Sequence, residues 1–210
     1  MPKQLKKRSR KTGLPPGALV HIGEKWSEKS RISVMQYDED TLVEKELAEI
    51  SRKHLRDDPS LKTWIHVDGI HDTAILEQMG EEFGLHPLVL EDILNTDQRP
   101  KTEDMGSYIF VVLKFFVAES NGTAEIRSEQ ISLVWGPDFV LSLQEKAGEL
   151  LNPVRERIRH GKGRIRKAGA DYLAHAVIDT VVDSYFSVLE DMEEEIDACE
   201  ESLVNRPTSA

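Results

Sequence analysis

Several things are scarce or missing in this chain of 210 residues, and each absence excludes something. One cysteine, Cys199, cannot form an internal disulfide, which fits a reducing compartment. No stretch approaches the roughly 18 consecutive apolar residues of a membrane span. The longest apolar run, Tyr108 to Ala118, is too short and carries Lys114. The N-terminus is basic, but no apolar segment follows it as a secretory signal would require. Positive charge is also in deficit. A net charge of −11 and a pI near 5.2 argue against nucleic acid as a partner of the whole chain. The one arginine-rich run, Arg155 to Lys167, has no interleaved aromatic residues on which bases could stack. A solvated face, or one paired within the molecule with the acid that follows, is the better reading of it.

What is present describes a soluble globular protein: 39% hydrophobic and 31% charged residues, with length for one large domain or slightly more. Three regions are expected. Residues 1–17 are basic and then Gly/Pro-rich, a flexible arm. Residues 18–148 interleave strands and helices. Residues 149–210 are helical. Strands are expected at Ala18–His21, Arg31–Tyr37, Thr41–Leu47 (passing into a helix through Ala48, Ile50 and Leu55) and Thr63–Asp68. Asp72 is placed to cap a helix from Thr73 to Phe83 that Gly84 ends. A strand over Ser107–Val117, a turn at Asn121-Gly122, a strand over Ile126–Trp135, a turn at Gly136-Pro137-Asp138 and a strand over Phe139–Leu143 form an antiparallel meander. The fold class is therefore α+β, or mixed α/β, with helices covering a sheet.

The stretch LHPLVLEDILNTDQRPK, from Leu85 to Lys101, reads as a short helix. Pro87 suits a first helical position, and Leu85, Leu88, Val89, Ile93 and Leu94 supply an apolar face. Arg99-Pro100 is expected to end it. Glu91 and Asp92 lie in its middle. Adjacent helical side chains diverge by about 100°, so the pair cannot close on one ion from the same side. Each carboxylate needs partners from elsewhere, or the pair is a solvated face. The last element carries a heptad stripe, Ile178, Val182, Tyr185, Leu189, Met192, Ile196, Cys199 and Leu203, the pattern of a helix packed along another long helix. Its other faces are dense in Glu and Asp, a field that divalent cations would relieve. A stripe with no partner helix suggests a sequence cut before that helix returns.

The blocks KKRSRKTGLPPGALVHIGE, WIHVDGIHD, HPLVLEDILNTDQRPK, YIFVVLKFF and PVRERIRHGKGRIRKAGADYLAHAVID, taken together, resemble the CorA family of magnesium and cobalt transport proteins. The likeness runs from about Lys6 to Pro207 in the family's order. It implies a cytoplasmic α/β/α sandwich with a mixed sheet, then long helices of a funnel, a stalk helix and two membrane spans, assembled as a homopentamer at the inner membrane. It also implies a Gly-Met-Asn signature at the pore mouth, which does not occur here. The chain thus looks like the N-terminal cytoplasmic domain, soluble by itself. By motif, Asp92 matches the aspartate of a first intersubunit regulatory site, and Glu91 with Asp179 matches a second. The implied ligand is Mg2+, with Co2+ or other divalent cations as substitutes. Ions bridging subunits would favour a closed funnel.

Three alternatives stay open at this level, one of them a free-standing adaptor that dimerises through the heptad helix and needs no membrane partner. A zinc-transporting member of the same superfamily would share this domain. A metal-dependent phosphohydrolase could use the cluster His66, Asp68, His71 and Asp72, since His66 and Asp68 share one face of a strand. That chemistry needs further ligands, which the sequence does not plainly offer, and no enzymatic activity is expected.

Overall fold

The alternation of side chains along the strands decides the architecture. In the computed structural model, which describes residues 13–22, 29–51, 55, 58, 60–118 and 126–205, every central strand is apolar on both faces. Strand β1 (Arg31–Tyr37) places Ile32 and Val34 on one side and Met35 and Tyr37 on the other. Strand β3 (Lys62–Asp68) does the same with Ile65 and Val67 against Trp64. Such strands need cover on both faces, and they receive it.

Seven strands form one mixed sheet. In chain order the others are β2 (Leu42–Leu47), β4 (Lys101–Asp104), β5 (Ile109–Ala118), β6 (Ile126–Trp135) and β7 (Phe139–Gln144). Their spatial order is β2-β1-β3-β7-β6-β5-β4. All neighbours are antiparallel except β3 and β7, which run parallel at the centre with Ile65 opposite Leu141. The edge strands β2 and β4 are charged and short, which discourages pairing with another sheet.

Helices α1 (Thr73–Phe83) and α2 (Pro87–Leu94) cover one face, completing a core of Ile32, Ile65, Leu76, Met79, Val89, Ile93, Phe110 and Leu141 with their neighbours. Helices α3 (Asn152–Arg159) and α4 (Ala170–Asn205) cover the other, around Trp64, Ile131, Leu133, Val154, Leu173 and Val177. This is the α/β/α sandwich with a mixed sheet, followed by a long helix, that the family resemblance implies.

Some local expectations change. Among the described residues after β2 no helix forms: the chain bends at Ala48 and Glu49, and the Ile50 N–H donates 3.0 Å to the Gln78 side chain. Ala18–His21 is not a strand; only Ile22 makes a bridge, to Asn95. The central helix stops at Leu94, well before Arg99-Pro100, since the Asn95 N–H turns back to the Asp92 carbonyl. Strand β4 lies where no strand was expected. The helical C-terminal region is broken at Gly161 and Gly163, whose positive φ (60° and 70°) suits turns and not helix. The Asn121-Gly122 turn, residues 1–12 of the arm and Arg206-Pro207 lie outside the described residues.

Candidate cation-binding face

Helix α2 is built to be held still. His86 caps it, with Nδ1 accepting from the Leu88 N–H at 3.2 Å, and Pro87 supplies the first turn. Val89, Leu90, Ile93 and Leu94 are buried under it, while Leu88, expected on the apolar face, is exposed and looks toward Leu14, Pro15 and Pro16. At its far end the Ile22 N–H donates 3.0 Å to the Leu94 carbonyl and the Thr96 hydroxyl donates 2.9 Å to the Ile22 carbonyl. Lys114, the charge inside the apolar run of β5, reaches the Thr96 carbonyl at 2.6 Å. Residues 13–22 thus form a strap along α2, tied at both ends.

The two carboxylates of α2 point to different partners, as their 100° separation requires. Glu91 Oε2 accepts the Gly17 N–H at 2.7 Å. Asp92 Oδ2 meets Lys101 Nζ at 2.6 Å, and its Oδ1 accepts from the Gln98 side-chain amide. Lys101, on β4, also lies 2.9 Å from Glu103 Oε1. Burial works against this ammonium, but its hydrogen bonds to Asp92 and Glu103 outweigh that and hold its pKa above the usual lysine range. The pocket of carboxylates therefore already accommodates a cation. Two hard oxygen donors of this kind fit Mg2+, which keeps most of its waters and takes one or two carboxylates.

Asp179 stands elsewhere. It is exposed on α4, between the buried Val177 and Val181, on the side of the helix away from the sheet. The sheet separates α4 from α2, so Asp179 cannot complete a site with Glu91 of the same chain. Among the described residues no group of three or more His, Cys, Asp or Glu is placed to hold a metal ion.

The His/Asp cluster is brought together only in part. His66 Nε2 lies 3.0 Å from Asp68 Oδ1, its Nδ1 lies 2.7 Å from Ser142 Oγ, and Trp64 Nε1 donates 2.9 Å to the same hydroxyl. All of this is buried. Burial lowers the His66 pKa, opposed by its hydrogen bond to Asp68. Asp72 instead caps α1, accepting the Ala74 N–H at 3.0 Å. Among the described residues the arginine-rich run pairs inside the molecule with acids other than those of α4. Arg159 bonds Glu44 of β2 (2.9 Å) and Glu156, Lys167 reaches Glu39 at 2.7 Å, and Arg166 donates to the Ile158 carbonyl at 2.6 Å.

Sequence reading missed Gly17, Gln98 and Lys101. The signal for the last two was the turn NTDQRP, which returns the chain from α2 to β4, but its geometry cannot be read from spacing.

This arrangement, a two-helix layer, a mixed seven-stranded sheet and a second layer led by a long helix, is a fold found in solved proteins. The soluble domain of CorA from Methanocaldococcus jannaschii has this fold, with a TM-score of 0.61 at 16% identity over 82% of this chain and 64% of that one. The full-length CmaX protein matches with a TM-score of 0.70 at 16% identity, over 89% of this chain and 56% of that one. A family model for CorA-like Mg2+ transporter proteins matches residues 62–210. The cobalt/magnesium transport protein CorA of Thermotoga maritima is 47% identical over 202 residues, 96% of this chain and 57% of that protein. The chain belongs to the CorA family. It spans little more than half the length of that relative, and no helix among its described residues is long and apolar enough to cross a membrane.

Proposed function

We propose that this chain is the divalent-cation-sensing domain of a CorA-type magnesium/cobalt transporter, lying on the cytoplasmic side of the membrane in a homopentamer. Mg2+ binds between subunits at Asp92, and at a neighbouring position shared by Glu91 and Asp179. Bound ions favour the closed state. The observation that carries this reading is the divergence of the ligands: Glu91 and Asp92 face different ways, and Asp179 lies beyond the sheet. None of the three stands beside another in one chain, which supports a site completed by a second chain.

Such a site works as a sensor only if it binds its ion more tightly in the closed arrangement than in the open one, because the shift in population equals the differential affinity. Few carboxylates and retained waters place the affinity on the order of 10⁻³ M, the loosest range for oxygen-ligand sites. High identity to a cobalt/magnesium transport protein supports those ions over zinc as the cargo. The burial of His66 and Asp68 and the capping role of Asp72 speak against a phosphohydrolase. The test is protection of the full-length protein from proteolysis across a magnesium titration. Asp92→Ala is expected to weaken that protection, and protection unchanged in the variant would overturn the role of Asp92.

A further inference from the structure

We infer that Lys101 is a built-in competitor for the Asp92 cation site, so that a divalent ion loads by displacing this ammonium toward Glu103. The inference rests on the reading of Asp92 as a regulatory ligand and adds to it what sets the affinity.

The geometry is specific. Lys101 Nζ sits 2.6 Å from Asp92 Oδ2, on the carboxylate oxygen that a metal or its bound water would need. The other oxygen carries the Gln98 amide, which is neutral and has no quarrel with a cation nearby. Both members of the ion pair are largely shielded, with side-chain exposures of 27% and 22%, so water screens them poorly. A dication and an ammonium on the same carboxylate oxygen repel each other strongly. Even with a water between metal and carboxylate, the two positive charges would stand only a few ångströms apart.

The alternative place for the ammonium is already present. Glu103 Oε1 is 2.9 Å away and more exposed, at 44%. Lys101 rises from β4, whose backbone is fixed opposite Val112 of β5, and its ammonium lies 5.4 Å from the centre of the Phe110 ring. With its base held, the side chain needs only a rotamer change to give up Asp92 and keep Glu103. Loading is thus an exchange of one cation for another, and it has two consequences. The apparent affinity is weaker than that of the bare carboxylate. A monovalent ion, with no charge advantage over the ammonium, does not displace it, which makes the site selective for divalent ions.

The experiment is the same magnesium titration of protease protection on the full-length protein. Lys101→Met, which keeps the apolar stem, and Lys101→Gln are each expected to lower the magnesium midpoint by roughly three- to tenfold, the scale of a partly shielded ion pair. Glu103→Gln removes the receiving carboxylate and should raise the midpoint. Opposite shifts from two members of one cluster are not what general loosening of the fold produces, and thermal unfolding of each variant reads such loosening directly. Midpoints that stay put or rise in both lysine variants, while Asp92→Ala still abolishes protection, would overturn the exchange and leave the sensing role standing. An Asp92→Ala protein that titrates like the unaltered one would instead remove the sensing role itself.

Discussion

Gly17 answers two demands at one position. Its φ of +83° lies in the left-handed region, and a Cβ placed there would stand 2.9 Å from Pro87 Cβ, while its N–H holds Glu91. Gly17→Ala is therefore expected to lose about 1–3 kcal/mol locally and to free the strap, seen as faster hydrogen exchange at the Ile22 and Thr96 amides than in the unaltered chain. His66 supports a pH prediction of definite sign. Burial lowers its folded pKa, Asp68 pulls it up, and Arg155 and Arg31 push it further down. The folded state thus binds fewer protons than the unfolded chain. Its contribution to stability is complete above the unfolded histidine pKa, about 6.5, and declines as pH falls from there toward the lower folded value. Denaturant midpoints should drop between pH 7 and 5.5 more steeply for the unaltered protein than for His66→Gln. Equal slopes would remove His66 as the cause. At this scale the sequence showed which residues carry charge but not whom they meet. Asp72 was legible as a cap because its partner is two residues away, whereas Lys101 meets Asp92 only through a turn.

The elements were more legible than the contacts. Strands β1 and β6 and helix α1 fall where their patterns put them, since alternation and capping are local signals. Strand β4 was invisible because KTED has no apolar alternation and is recruited only by its pairing with β5. Helix α4 shows a subtler shift. The residues it buries are Ala170, Leu173, Ala174, Ala176, Val177 and Val181, and the heptad stripe lies beside this face. Small alanines let the helix approach the sheet closely, and of the stripe only its start, with Ile178 and Tyr185, packs against the core. Leu189, Ile196 and Leu203 of the stripe, and Phe186 beside it, are all more than half exposed. The 36-residue helix is about 54 Å long, and near its middle Tyr185 packs on Phe116 and its hydroxyl bonds the Lys114 carbonyl. From Leu189 to Asn205 every residue of the helix is exposed. In the 210-residue chain, amides from Glu190 to Asn205 should exchange at least about a hundredfold faster than those from Leu173 to Val181, as measured by mass spectrometry. Comparable protection along the whole helix would show that the stripe is covered in solution.

For the molecule as a whole, the layers assign the chemistry. The excess of acid expected to relieve itself on ions is divided between two faces: the α2 pair, where Lys101 and Gly17 already answer it, and the outer side of α4. The basic run between them serves the sheet edge, through Glu39 and Glu44. A cation that draws α2 of one copy toward α4 of another would therefore join opposite sides of the sandwich, which is what a ring of identical subunits needs.

The single parallel junction, β3 against β7, carries a consequence for how the protein is made. Each half of the sheet is a set of antiparallel neighbours that can assemble locally, but the seam between them waits until Gln144 has left the ribosome. Until then β3 has no strand on that flank, and a nascent chain stalled before Phe139 presents its unpaired backbone N–H and C=O groups. Synthesis that pauses in the β5–β6 region should expose the chain to chaperones or to aggregation more than a pause anywhere after the seam has closed.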